Sequence, residues 1–82
     1  LDFVALDKDL VVAVTAVPGA ATGGNLGKLQ LREKYGVSVI SVKRDQRWMH
    51  VTPETALAPG ETVVVMGPER QTERFCSLAP TA

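Results

Sequence analysis

The sequence has little cysteine, few aromatic side chains and no net charge. Cys76 is the single cysteine, so no disulfide can form within the chain and no multi-cysteine metal site is available. Nine Lys and Arg balance nine Asp and Glu, whereas a nucleic-acid-binding domain should be clearly basic. Aromatic residues make up only 5% of the chain, so its core must be aliphatic. The longest apolar run, Leu10–Ala16, is far too short to cross a bilayer.

The stretch from residue 26 to residue 42 changes its periodicity in the middle. Its first half has the three- and four-residue spacing of a helix, carried by Leu26, Leu29, Leu31 and Tyr35. Gly36 follows a basic last turn and is a helix stop, because glycine enters the left-handed conformation without penalty. Residues 37–42 are then rich in β-branched side chains, which predicts a buried strand.

The rest of the chain supplies strands and a second helix. Leu10–Ala16 is apolar on both faces, which predicts a central or doubly covered strand. Residues 47–51 alternate after a polar turn and predict the return strand of a hairpin. We predict a further strand at 62–66. Gly67-Pro68 should begin a helix. Phe75 and Leu78 give this helix an inward face, Thr72 lies one turn before them, and Pro80 should stop the helix.

These elements predict one α+β domain over residues 10–82, with a small mixed or antiparallel sheet and two short helices. Residues 1–9 are expected to be a linker from a preceding region, with a short strand around residues 3–6. Because the chain begins at Leu1, we expect it to be a piece of a longer protein.

The loop at residues 19–24, GAATGG, precedes a helix and invites a phosphate-binding interpretation. The established glycine patterns for nucleotide phosphates are absent, however, since Gly27-Lys28 is followed by Leu29 and not by Ser or Thr. A connecting loop is the simpler interpretation, and Asn25 is a credible N-cap for the helix.

The residues offer little for catalysis. Cys76 and His50 could form a thiol–base pair, although a small helical cysteine is more often packing. Asp7 with Asp9, or Glu69 with Glu73, gives only two carboxylates, which is a weak cation site. These residues therefore favour a binding or assembly module over an enzyme, with no catalytic residue and no metal site.

Several ordered motifs together resemble one family. They are Val17-Pro18, Leu26 with Leu29, the run from Leu31-Arg32 through Tyr35-Gly36-Val37 to Val39-Ile40, Val42-Lys43-Arg44, Leu57 with Pro59-Gly60-Glu61, Val63 to Gly67, and Phe75. In this order the chain resembles the TrkA-C domain, also called RCK-C, the C-terminal half of cytoplasmic regulators of potassium conductance.

The resemblance implies a regulatory domain that dimerises, senses a ligand and controls a potassium or other monovalent-cation channel, uptake system or cation/proton antiporter. Such a domain would lie in the cytoplasm, held at the inner face of the membrane by its membrane partner. The family's dinucleotide-binding half lies outside this chain, so no cofactor is expected; the implied ligand is a cyclic dinucleotide such as cyclic di-AMP, or a divalent cation. The implied ligand site or dimer interface comprises Val39, Ile40, Arg44, Arg47, His50 and Pro53. A purely structural assembly domain and a thiol-dependent enzyme using Cys76 and His50 remain as alternatives.

Overall fold

The computed structural model describes residues 2–78, which form a five-stranded antiparallel sheet with its helices packed on one face. The strands are β1 (Asp2–Asp7), β2 (Leu10–Ala16), β3 (Ser38–Arg44), β4 (Arg47–His50) and β5 (Thr62–Gly67). The helices are α1 (Leu26–Leu29), α2 (Leu31–Tyr35) and α3 (Glu69–Cys76), and a 3-10 turn covers Gly19–Ala21. The strand order is β1-β2-β5-β3-β4. The predicted α+β class and antiparallel sheet are confirmed.

The predicted junction between a helix and a core strand is present. The Asn25 side chain caps α1 by accepting a hydrogen bond from the Lys28 amide at 2.8 Å. Gly36 ends α2 with φ at 75°, in the left-handed region, and β3 starts two residues later. Both local predictions are confirmed, because each depends only on residues adjacent in sequence.

The helix before Gly36 is broken, whereas the spacing of its leucines predicts one continuous helix. Gln30 has φ and ψ both at 51° and separates α1 from α2. The break leaves the backbone satisfied, since the Gln30 amide donates to Leu26 at 3.3 Å and its carbonyl accepts from Lys34 at 3.0 Å. A non-glycine residue in the left-handed conformation costs about 1–2 kcal/mol of stability. Because both hydrogen bonds of Gln30 are retained, the break adds no cost for unpaired backbone groups.

The buried core lies between the sheet and the helices, on what we call the helix face of the sheet. Phe75 of α3 is fully buried and meets Tyr35 edge to face, with ring centroids 5.8 Å apart. Leu57, in the loop before β5, is also buried, and Leu78 packs partly against the core, as its predicted inward position requires. The strands contribute aliphatic side chains to this core: Ala13, Val42, Val63 and Val65.

Residues expected to form a linker contain β1, which pairs with β2 and extends the sheet ahead of residue 10. The short strand predicted around residues 3–6 is confirmed within Asp2–Asp7. Leu1 and the predicted helix stop Pro80 lie outside the described residues.

A β-bulge interrupts the register between β3 and β5. Val39 pairs with Val65 and Ser41 with Val64, which leaves Ile40 as the extra residue. Val39 and Val42 consequently both lie on the helix face although they are three residues apart. The predicted interior strand is therefore buried at Val37 and Val42, but Ile40 is 37% exposed.

In the part of the chain that the structure describes, no helix is long and apolar enough to cross a membrane.

Two glycines meet where the two helix–strand junctions approach each other, and this contact gives a first prediction. A Cβ atom at Gly67 would lie 2.7 Å from the Gly36 carbonyl oxygen and 3.2 Å from Thr72 Oγ1. Because one of these atoms belongs to the backbone, we expect Gly67→Ala to lower the free energy of unfolding by about 1–3 kcal/mol. Urea unfolding followed by circular dichroism measures the change.

Gly24→Ala is the matched control, because a Cβ there meets only Leu29 atoms at 4.0 Å. Equal stability of the two variants would show that the junction has room for a methyl group.

Candidate functional site

A cleft of about 470 Å³ opens between the two short helices, the start of β3 and the loop after β4. We call it the α1–β3 cleft. Its apolar lining consists of Leu26, Leu31, Val37, Val39, Val51 and Pro53. This volume lies within the roughly 300–1,000 Å³ typical of sites for small organic ligands, which are also mostly apolar.

The loop at residues 52–56 is attached to α1 by backbone hydrogen bonds. The Leu26 amide donates to Thr55 at 2.9 Å and the Gly27 amide donates to Pro53 at 2.8 Å. A Cβ at Gly27 would lie 3.2 Å from both Pro53 Cβ and the Pro53 carbonyl oxygen. Glycine therefore permits the close approach that forms this wall of the cleft.

The polar groups of the cleft lie mainly on the α2 side. Gln30, Arg32 and Glu33 line it from the helices, and Ser38 and Thr52 line it from the strand and the loop. The Arg32 Nε donates to Ser38 Oγ at 3.3 Å, which holds the exposed guanidinium beside the start of β3. The cleft thus combines an apolar lining with one cation, one carboxylate and several neutral hydrogen-bonding groups.

This arrangement can bind a small molecule that has an apolar or aromatic body and an anionic or polar group. Within residues 2–78, no three His, Cys, Asp or Glu side chains lie close enough to hold a metal ion. The lining contains no Cys or His, so the cleft has no thiol–base pair.

The structure divides the predicted site residues between separate places. Val39 and Pro53 line the α1–β3 cleft. Ile40 is the bulge residue, Arg47 is exposed in edge strand β4, and His50 pairs with Ser41 at the other end of that strand. The remaining member, Arg44, is bound to Glu61.

The Arg44 guanidinium clamps the end of β3 to the segment that enters β5. Its Nε forms an ion pair with Glu61 Oε2, and its Nη2 donates to Glu61 Oε1 at 3.1 Å and to the Ala56 carbonyl at 2.8 Å. Glu61 Oε1 also accepts from the Ala58 amide at 2.8 Å. The hydrogen bond from Arg44 lowers the pKa of Glu61, and partial burial opposes this shift. Arg44 is therefore occupied by a structural contact.

The sheet separates Cys76 from His50. Cys76 lies on α3 and packs against the core on the helix face. His50 pairs with Ser41, and Ser41 pairs with Val64, so these three side chains share one face of the sheet. Val64 stands between the core residues Val63 and Val65 in the chain, so its side chain and that of His50 lie on the face opposite the core. A catalytic pair between this thiol and this imidazole is incompatible with the fold.

The residues that sequence reasoning missed are Gln30, Arg32 and Glu33. A continuous helix gives no reason to direct them into a cleft, and glutamine does not signal a left-handed break. For Arg32 and Glu33 the one sequence signal is the polar run between the apolar residues Leu31 and Tyr35, which is also typical of a solvated helix face. Gln30 has no such signal.

The fold and cleft define a small α+β domain with a ligand-sized opening beside its sheet. The sequence profile of the TrkA-C domain family matches residues 11–79, which is most of the chain. The chain therefore belongs to the TrkA-C domain family, and the resemblance that its motifs carry is confirmed.

Two solved structures are similar to the chain. A crystal structure of the GsuK RCK domain has a TM-score of 0.67 and 26% identity, over 80% of this chain and 15% of that one. A GsuK channel bound to NAD has a TM-score of 0.68 and 26% identity, over 80% of this chain and 13% of that one. This chain spans only a small part of either structure's length. No curated protein matches it.

The Arg44–Glu61 pair predicts a pH dependence of stability. A carboxyl whose pKa is lower in the folded than in the unfolded chain stabilises the folded state above its unfolded pKa, about 4.3. That contribution to stability is lost as the pH falls through the pKa of the carboxyl in the folded chain. We expect the free energy of unfolding to fall less between about pH 5 and pH 3 in Glu61→Gln than in the parent chain.

Urea unfolding at several pH values measures this difference. Glu54→Gln is the control, because Glu54 is exposed and forms no ion pair among the described residues. Parallel curves for Glu61→Gln and the parent chain would contradict the assigned role of the pair.

The position of Cys76 predicts a slow thiol. Burial raises the pKa of the Cys76 thiol, and a hydrogen bond with Thr15 only partly opposes this. Since the thiolate is the reactive form, we expect Cys76 to react with a disulfide reagent at neutral pH more slowly than glutathione. In denaturant it should reach the glutathione rate. A rapid reaction in the folded chain would contradict the packed position assigned to Cys76.

Proposed function

We propose that this domain senses a ligand and dimerises as part of a regulator of a potassium or other monovalent-cation channel, uptake system or cation/proton antiporter. Its place is the cytoplasm, at the inner face of the membrane, where a membrane-embedded partner holds it. The match of residues 11–79 to the TrkA-C family carries this proposal. The similarity to an RCK domain of the GsuK channel supports the link to ion transport.

The α1–β3 cleft supports the sensing role. Its lining suits a ligand with an apolar or aromatic body, and Arg32 offers a charge-assisted hydrogen bond to an anionic group. A cyclic dinucleotide combines both features and is the ligand that we propose first. One similar structure is of a channel bound to NAD, but the chain covers 13% of it, so this likeness does not identify the part that holds NAD.

The cleft also offers a route from binding to regulation. It is formed by two short helices, a strand and a loop, so a ligand inside would link segments that are far apart in sequence. A ligand that prefers one arrangement of these segments shifts the domain toward it. The membrane partner would respond to the population of that arrangement.

A purely structural assembly domain is the second candidate. It is favoured by the aliphatic side chains on the sheet face that the helices leave uncovered, among them Val4, which is 56% exposed. The two candidates differ in whether the cleft binds a ligand.

Thermal unfolding of the 82-residue chain with cyclic di-AMP, adenine nucleotides, NAD and divalent cations tests the proposal. A ligand that binds only the folded chain, present at about ten times its Kd, should raise Tm by roughly 5–10 °C for a domain of this size. Arg32→Ala should reduce that shift, because it removes the cation of the cleft.

Arg70→Ala is the control, since Arg70 is an exposed arginine of α3 outside the cleft. An unchanged Tm with every ligand in the panel would leave the assembly role in place of the sensing role. An equal loss in the two arginine variants would place the binding site elsewhere.

A further inference from the structure

One wall of the α1–β3 cleft is built by α1 and the loop at residues 52–56, and the helix depends on the loop. Leu26 and Gly27 begin α1, so their amides have no acceptor within the helix. The Thr55 carbonyl accepts from Leu26 at 2.9 Å, and the Pro53 carbonyl accepts from Gly27 at 2.8 Å. The loop therefore supplies the acceptors that the first turn of α1 requires.

α1 is too short to hold its position without this support. It has four residues, and neither Leu26 nor Leu29 is fully buried against the core. Gln30, in the left-handed conformation, separates it from α2. A single helical turn forms too few hydrogen bonds to offset the entropy that is lost when its backbone is ordered. The places of Leu26 and Gly27 in the cleft consequently follow the position of the loop.

The loop is in turn tied to β3 by the Arg44 side chain. Within the loop, the Thr52 amide donates to Thr55 Oγ1 at 2.9 Å, and the Thr55 amide donates to the Thr52 carbonyl at 3.0 Å. The carbonyl of the last loop residue, Ala56, accepts from Arg44 Nη2 at 2.8 Å. Of the side chains that the structure describes, Arg44 is the one outside the loop that donates to it. Arg44 therefore sets the distance between the loop and the end of β3.

Glu61 fixes the direction of the Arg44 guanidinium. Its two carboxylate oxygens pair with Nε and Nη2 of Arg44, and one of them also accepts from the Ala58 amide. Such a forked pair holds the guanidinium in one plane, which a lysine ammonium cannot reproduce. Neither Arg44 nor Glu61 lines the cleft. The pair thus acts on the cleft only through the loop.

We propose that Arg44 and Glu61 are positioning residues of the α1–β3 cleft. The pair holds Ala56, the loop holds the first turn of α1, and that turn places Leu26 and Gly27 in the cleft. The affinity for a ligand therefore depends on a pair that the ligand does not touch, because a wall that is already ordered costs less to order on binding. This inference rests on the ligand-binding role proposed for the cleft and adds the residues that preorganise it.

The same contacts connect the cleft to the other end of β3. The cleft lies at the start of this strand, at Ser38 and Val39, whereas Arg44 is its last residue. Coupling between two sites is reciprocal, so a pair that strengthens ligand binding is itself strengthened by the ligand by the same factor. Binding in the cleft would thus stabilise the junction between the β3–β4 hairpin and the segment that enters β5.

Amide hydrogen exchange, measured by NMR on the 82-residue chain, tests the positioning role without a ligand. Arg44→Lys keeps the charge and loses the fork, so we expect the Leu26 and Gly27 amides to exchange about tenfold faster. Glu61→Gln removes the other member of the pair and should speed the same two amides. The Ser77 amide, bonded to the Glu73 carbonyl at 3.0 Å at the end of α3, should keep its rate.

Arg70→Lys is the matched control, because it is the same change at an exposed arginine of α3 outside the cleft. It should leave the exchange of Leu26 and Gly27 unchanged. A merely structural role of Arg44 would lower the global stability without changing the local opening at these two amides, so their native-state exchange would then match the parent chain.

Calorimetric titration with cyclic di-AMP as the probe separates positioning from contact. Arg44→Lys should raise the Kd several-fold and also speed the exchange of the α1 amides in the free chain. Arg32→Ala removes a group that lines the cleft, so it should raise the Kd and leave those exchange rates unchanged.

Either of two results would overturn the inference. The first is that the Leu26 and Gly27 amides keep their parent rates in both Arg44→Lys and Glu61→Gln. The second is a Kd for cyclic di-AMP that Arg32→Ala raises and Arg44→Lys leaves unchanged. Failure of the parent chain to bind cyclic di-AMP would contradict the proposed ligand instead, and the exchange rates would still decide the positioning role.

Discussion

The backbone contact between Gly36 and Gly67 is the constraint on which the other features depend. At Gly36 the chain passes from α2 into β3, and at Gly67 it passes from β5 toward α3, so one close approach sets the position of both helices on the sheet. β5 in turn pairs with both β2 and β3, the two strands that build the centre of the sheet. The core around Phe75 and the cleft beside α2 follow from this junction, because each needs the helices at their present distance from β5 and β3.

Local chemistry predicted much of the fold. Asn25 and Gly36 delimit the helical segment because capping and left-handed backbone are properties of single residues and their neighbours. The β-branched runs of β2, β3 and β5 are strands for the same reason. The break at Gln30 and the bulge at Ile40 could not be predicted. The first has no local cue, and the second depends on how β3 pairs with β5, which lies more than twenty residues later. These two unpredicted features explain most of the difference between the predicted and the observed site. The break directs Arg32 into the cleft, and the bulge separates Val39 from Ile40.

β3 contributes to both faces of the sheet. Val39 lines the cleft, whereas Ser41 and Lys43 lie on the face opposite the helices. A ligand against Val39 would therefore contact a strand whose other side chains face away from the cleft. Because the two sets of side chains share one backbone, a change in the twist of β3 would move both together. The Arg44–Glu61 pair, at the end of the same strand, limits how far that strand can move.

The bulge has a consequence for how this strand tolerates changes in length. Side chains alternate with a period of two, so losing one residue from a regular strand turns every later side chain to the wrong face. Ile40 is the exception in β3, because it is the residue that has no partner in β5. Removal of Ile40 alone would restore an uninterrupted ladder with Val39 and Val42 still directed inward, each on its present partner. Loss of Val39 or Ser41 would let Ile40 take the vacated position, so relatives one residue shorter in this strand should carry their gap within residues 39–41. A gap after Val42 would turn the later side chains to the wrong face.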